Sequence, residues 1–329
     1  MTPFKFIKKS FSNFICNFRT MFKYNNEQDC IKMIQNQNKH ISNLQQALFS
    51  IRKEIIEIYY DTHKDIANQY SDELRYLKNA DTMIPFLYPQ IKQIKPPISG
   101  YDKKYKLSFV IHNKNRLFFP KGWSPESASK AYRNYIEREN LLGGGYTEKA
   151  PHQYVTDSFH VERNDIVVDA GCAEALFALD SIERAKHIYL LEADDIWLKP
   201  LQATFAPYKN KVTIIPKFLS SEISENSTTL NSLFDKYSKE SFFIKMDIEG
   251  AEESVIQGSK EFLTSQNKIK LACCTYHKTH HAEAISSLLK EMSYNFEFSD
   301  GYMLFPWDND QQPPYFRKGL IRATNSPHN

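Results

Sequence analysis

The stretch VVDAGCAEALFAL, residues 167–179, decides how this chain folds. Two valines run into Asp169, Gly171 interrupts the run, and Ala175 to Leu179 open a helical sequence. A short β-branched run, a glycine and a helix start make a strand–turn–helix unit, the repeating piece of an α/β sheet. At such a turn the glycine allows close backbone approach, and the acid leaves the sheet at its carboxyl end.

Working outward, apolar runs at Ile166–Asp169, Ile188–Glu192, Val212–Pro216, Phe242–Asp247 and Lys270–Thr275 alternate with helical stretches through Trp197, Leu201, Phe205 and through Ala251, Val255, Phe262. That alternation predicts an α/β domain with a doubly wound, mostly parallel sheet. Tyr294–Phe298, Tyr302–Phe305 and Leu320–Ala323 are strand-like with no helix between them, and predict an antiparallel C-terminal hairpin. Ligands of such sheets bind beyond the carboxyl ends of the strands. Glu192 ends the second strand, 23 residues after Asp169, where one carboxylate accepts from two ribose hydroxyls. The loop has one glycine where dinucleotide sites have three, so a nucleoside without phosphates fits better than NAD. An NAD-type oxidoreductase is the weaker enzyme alternative.

The blocks VVDAGCAEALFAL, YLLEAD (189–194) and FFIKMDIEGAEESVIQG (242–258) resemble the FkbM family of S-adenosylmethionine-dependent methyltransferases. The third block is the most specific, and CTYHKTHHAEAISSLLKEMSYNFEFSDGYMLF (274–305) is similar to a C-terminal segment in part of that family. The resemblance runs over roughly residues 150–310 and leaves the N-terminal region out. It implies a class I, Rossmann-like methyltransferase domain over residues 161–325, with S-adenosylmethionine as cofactor. It further implies a hydroxyl of a glycan or related saccharide as acceptor. The cofactor side falls to Asp169, Gly171, Ala173, Glu174, Glu192 and Asp194. One position departs: the family usually has Gly where this chain has Ala175, whose methyl narrows the pocket. A degenerate methyltransferase fold acting as a scaffold through its helical N-terminus is therefore the non-enzyme alternative.

The residues carry the chemistry independently. A hydroxyl is a poor nucleophile at neutral pH and needs a base or a metal beside it. Asp247 ends the fourth strand, His277 closes the fifth and Glu249 stands at the mouth of the next helix, so these three are the catalytic candidates. Blander readings compete: Asp247 capping its turn, and Glu249 and Glu252 stabilising a helix N-terminus. No metal site is assigned, although Asp247 with His277 suits a divalent ion and His280 and His281 lie close by. His152 and Tyr154 read as a cover for the cofactor or as a packed loop, Lys245 as the partner of an acid, and Cys172 as a small filler.

The N-terminal region has another texture. Residues 1–26 hold Lys5, Lys8, Lys9, Arg19 and Lys23 with no acid, interleaved with Phe4, Ile7, Phe11, Phe14, Phe18 and Phe22 at helical spacing. This suits a helix lying on an anionic membrane surface, or one docked on its own domain or a partner. It lacks the uninterrupted apolar core of a secretory signal. In a helical region over 27–94, Cys30, Ile34, Ile41, Leu44, Leu48, Ile51, Ile55 and Ile58 take a and d positions, with Gln37 the polar interruption. Residues 30–58 thus predict a coiled coil with a second copy, or a hairpin on the same chain. The pattern slips after Thr62 and resumes through Ile66, Tyr70, Leu74 and Leu77. Residues 95–100 read as a linker and 101–160 as a cap or substrate-side region, with His112–Arg116 as a hairpin loop and a helix from Ser124-Pro125 to about Asn140, stopped by Gly143-Gly144-Gly145.

Composition sets the outer bounds. Forty-two Lys and Arg against 39 Asp and Glu leave +3 over 329 residues, which gives no field for a nucleic-acid partner. No apolar run approaches the ~20 residues of a membrane-spanning helix. Five cysteines without C-x-x-C spacing exclude a disulfide scaffold or zinc ribbon. They predict a reducing, cytoplasmic location, with contact at the inner membrane face through residues 1–26 as its peripheral variant.

Overall fold

A computed structural model describes residues 27–80, 95–133, 150–234, 239–304 and 311–326. The basic segment 1–26, the side chain of Cys30, the end of the helix expected near Asn140 and the three glycines at 143–145 lie outside them. The chain divides into two compact units: residues 1–87 with 304–316, and residues 88–303 with 317–329.

The first unit is built on α1 (Glu27–Thr62) and α2 (Ser71–Asn79), joined by short helical turns over Lys64–Tyr70. The helix stops where the heptads slip. Thr62 turns its hydroxyl back onto the carbonyls of Ile58 and Tyr59, at 3.1 and 2.8 Å, and competes with the helical ladder. Phe49, Ile56 and Tyr60 of α1 are buried with Tyr70 and Leu77, whereas the a and d residues from Ile41 to Ile58 are exposed. The Tyr60 hydroxyl donates to the Pro314 carbonyl, and Phe316 packs on the rings of Tyr60 and Tyr70.

The second unit begins with a three-stranded antiparallel sheet, β1 (Ser99–Asp102), β2 (Leu107–His112) and β3 (Asn115–Phe118). Two expectations change here. Ser99 and Gly100, read as linker, are part of β1 and pair with Val110 and Phe109. His112, Asn115 and Arg116, read as loop, extend the strands, so the turn is Asn113-Lys114 alone, with φ of +45° and +73°. A two-residue turn with both φ positive matches the twist of paired strands, and Asn tolerates that conformation. The helix α3 (Pro125–Ala131) starts as expected, with the Ser124 side chain accepting from the Ser127 amide at 3.0 Å.

The main sheet has seven strands: β4 (Ile166–Ala170), β5 (His187–Leu191), β6 (Val212–Ile215), β7 (Ser241–Met246), β8 (Lys268–Cys274), β9 (Asn295–Phe298) and β10 (Leu320–Thr324). Their order is β9-β10-β8-β7-β4-β5-β6, and the sheet is mixed. The five strands β4 to β8 pair in parallel, and β10 runs antiparallel to both β8 and β9. Met303–Leu304, expected to join this hairpin, lies outside the sheet. Between strands run α4 (Leu176–Ser181), α5 (Asp195–Thr204), α6 (Glu252–Gly258) and α7 (His281–Glu291). Val168, Ile244, Leu271 and Ile321 carry the buried core across the sheet, each adding about 1.5–3 kcal/mol by leaving water. Since β5 and β6 lie on one side of β4 and β7 on the other, the chain reverses direction at β4. The carboxyl ends of β4, β5 and β7 therefore surround one crevice position. Among the described residues no helix is long and apolar enough to cross a membrane.

Candidate functional site

The turn after β4 is held by its neighbours. Gly171 has φ +69°, and a Cβ there would lie 1.9 Å from the Asp247 carbonyl oxygen. This glycine is required where the ends of β4 and β7 touch, a tighter demand than the ligand approach expected from sequence. Ala173 and Ala175 are also left-handed, at φ +45° and +60°. Ala175 therefore holds a buried methyl in a conformation that suits glycine, at about 1–2 kcal/mol of backbone strain. Asp169, 1% exposed, receives the Lys245 ammonium on Oδ1 at 2.8 Å, which confirms Lys245 as an acid's partner. Burial would push that ammonium down, and the Asp169 charge overrides it and drives it up. The other oxygen, Asp169 Oδ2, is buried without a hydrogen-bond partner among the described residues.

Glu192, at the end of β5, accepts from the Ala173 amide at 2.9 Å and the Asp194 amide at 2.7 Å. One contact on each oxygen fixes the carboxylate and leaves further lone pairs for hydroxyl donors. Burial raises its pKa, against those two amides. The Asp194 side chain also caps α5, accepting from the Ile196 amide at 3.2 Å. Glu174 stands before α4, and burial pushes its carboxyl up to about 7.

The second half of the site gathers around Asp247. Oδ1 lies 3.3 Å from the Tyr276 hydroxyl and 3.4 Å from His277 Nε2, and Oδ2 lies 3.1 Å from the Tyr154 hydroxyl and 3.6 Å from His152 Nε2. Burial would raise this carboxyl, but the His152 hydrogen bond and the charges of His277 and Lys245 hold it far below the usual carboxylate range. His277 is 5% exposed, with Nδ1 2.9 Å from Glu252 Oε1 and Nε2 3.7 Å from Glu249 Oε2. Burial alone would lower it; Glu252 first, then Asp247 and Glu249, lift it to about 9. Partial burial and then the Asp247 charge push Glu249 up to about 7, although its side chain is 61% exposed. Glu249 is also left-handed, at φ +61°, a conformation rare for its type.

All three catalytic candidates therefore meet, beside the β4 turn. Glu252, read as helix stabilisation, is fully buried, accepts from the Ile248 amide at 2.9 Å and stands against His277. Tyr276 and Arg317 went unread. Arg317 donates to the carbonyls of Tyr276 and His277 at 2.9 and 3.3 Å and to Thr279 Oγ1 at 2.9 Å, fixing the strand end that carries His277. His152 and Tyr154 face Asp247. Asp247, Glu252 and His277 each bring one ligand atom within 4.8 Å of the others, but Glu252 and His277 already face each other at hydrogen-bond distance. Cys172 is a buried filler whose thiol burial pushes up, as expected.

No curated protein sequence matches this chain. Among solved structures it is similar to a precorrin-6y C5,15-methyltransferase from Geobacter metallireducens GS-15, at 15% identity and a TM-score of 0.33, over 50% of this chain and 80% of that one. It is also similar to a ribosomal protein L11 methylase from Lactobacillus delbrueckii subsp. bulgaricus, at 13% identity and a TM-score of 0.31, over 50% and 72%. A Streptococcus mutans protein named as a methyltransferase, in complex with SAH, gives 15% identity and a TM-score of 0.33 over 50% and 90%. A family model also matches: it takes in Ala173 to Ala175 of the turn after β4, with Glu192, Asp247 and His277, and begins just after Gly171. Residues 173–298 of this chain match the family model of the methyltransferase FkbM domain.

Proposed function

We propose that this chain is an S-adenosylmethionine-dependent O-methyltransferase acting on a hydroxyl of a glycan or related saccharide, with Glu249 as its general base. The observation that supports this most is the contact of Gly171 with the Asp247 backbone, which sets the cofactor-side turn against the acid cluster. The β4 side suits the donor. Glu192 keeps lone pairs for ribose hydroxyls, and the bare Asp169 Oδ2 is a buried acceptor for a cationic donor group. When bound, S-adenosylmethionine supplies an electrophilic methyl group on a sulfonium. The saccharide class follows from the family resemblance of the sequence blocks.

The base must be unprotonated yet basic near neutral pH. Asp247 is held as an anion, and His277 is lifted to about 9 and so protonated near neutral pH, which suits them to orienting the acceptor rather than to taking its proton. Glu249 does match: its carboxyl titrates near 7 and its side chain opens to solvent, where an acceptor enters. Glu249 would take the proton of the acceptor hydroxyl, and protonated His277, held between Asp247 and Glu252, would keep the surrounding acids ionised. The test is incubation with deuterated S-adenosylmethionine and candidate saccharides, followed by mass spectrometry. One labelled methyl on a sugar oxygen is expected, and Glu249→Gln should lower kcat by ~10²-fold or more. Label found only on nitrogen or carbon would overturn the O-transfer reading.

A further inference from the structure

We propose that the exposed face of α1 is a pairing surface for a second copy of this chain. Ile41, Leu44, Leu48, Ile51, Ile55 and Ile58 recur at strict three-and-four spacing and are 43–57% exposed. The same helix buries a different face, Phe49, Ile56 and Tyr60, within its own unit. The stripe is therefore surplus to that fold. A sustained 3.5-residue period is the geometry in which two long helices wrap with side chains interlocked. The six layers run along ~26 Å of helix. Covering the stripe on two copies removes on the order of 1,000 Å² from water, about the least that a biological interface buries. Monomers rarely expose such a patch.

Charge selects the occupant. The positions flanking the stripe are His40, Gln45, Ala47, Arg52, Glu54 and Tyr59, one formal positive and one negative charge. A balanced flank meets its own copy without repulsion. It offers no acidic surface to the segment 1–26, whose five basic residues stand without an acid.

The experiment is sedimentation of the full chain over a range of concentrations. At least twice the monomer mass is expected, and the monomer mass for Leu48→Lys with Ile55→Lys at unchanged helical circular dichroism. A second variant guards against misfolding. In a chain with Cys16→Ser and Cys30→Ser, mild oxidation should link Ile51→Cys into a covalent dimer and leave Ser50→Cys, outside the stripe, unlinked. An unmodified chain that stays monomeric at ~50 μM overturns the proposal, since interface affinities of interest lie below that. A Leu48/Ile55 variant that keeps the larger mass, or equal linking at positions 50 and 51, overturns it as well.

Discussion

At the scale of single residues the site is a problem of charge. His277 lies between Asp247, Glu249 and Glu252, and that surround sets a pH window. As the proposed base, Glu249 would act only after losing its proton, so turnover should rise as pH passes about 7. The raised His277 keeps its proton until pH passes about 9, beyond which the acids lose their counter-charge and turnover should fall. A pH profile of kcat checks both limbs: Glu249→Gln should lose the acid limb and His277→Gln the alkaline one. A bell unchanged in both variants would remove these residues from the mechanism. Gly171 yields a separate prediction. Gly171→Ala forces a methyl to 1.9 Å from a backbone oxygen at φ +69°, so it should destabilise the fold by more than ~2 kcal/mol in urea. That Asp247 and His277 would stand near each other was legible, because residues just beyond the carboxyl ends of adjacent parallel strands face one crevice. Glu252 was not, because its value depends on an imidazole delivered by a different strand.

At the scale of elements, β4 and β7 are joined by more than their ladder. Asp169 stands opposite Lys245 in the register, and their side chains, 1% and 8% exposed, pair at 2.8 Å. Removing one partner leaves a buried charge uncompensated. Lys245→Met should therefore cost about 3–5 kcal/mol, measured by urea unfolding, while Asp169→Asn with Lys245→Met should recover part of it. A loss below ~1 kcal/mol would mean that water reaches the pair. The strands themselves were readable within a residue or two, because apolar runs between helical periods have few other uses. The β2–β3 turn was not, since polar residues at the hairpin end look like loop until the two-residue turn pulls them into the ladder. Heptads likewise reveal which face of α1 is apolar, but not which face its own unit covers.

For the molecule as a whole, ligand linkage tests the cofactor. S-adenosylmethionine at about 100 times its Kd should add ~2.7 kcal/mol to stability, seen as a rise in Tm, and NAD should add nothing. Glu192→Ala should abolish that rise. Because Glu192 also receives the Ala173 and Asp194 amides, the comparison is the ligand-induced shift in each protein rather than the bare Tm. A shift with NAD alone would refute the assignment. The first unit has its own consequence, because it draws on distant parts of the chain: Tyr60 and Tyr70 are covered by Pro314 and Phe316. During synthesis at ~5–20 residues per second, the roughly 250 residues between them keep those aromatic rings waiting for about 12–50 s. The α1–α2 pair leaves the ribosome that much ahead of the residues that cover it and stays unfinished until Phe316 has followed, so it is a place where a nascent chain needs a chaperone's shelter.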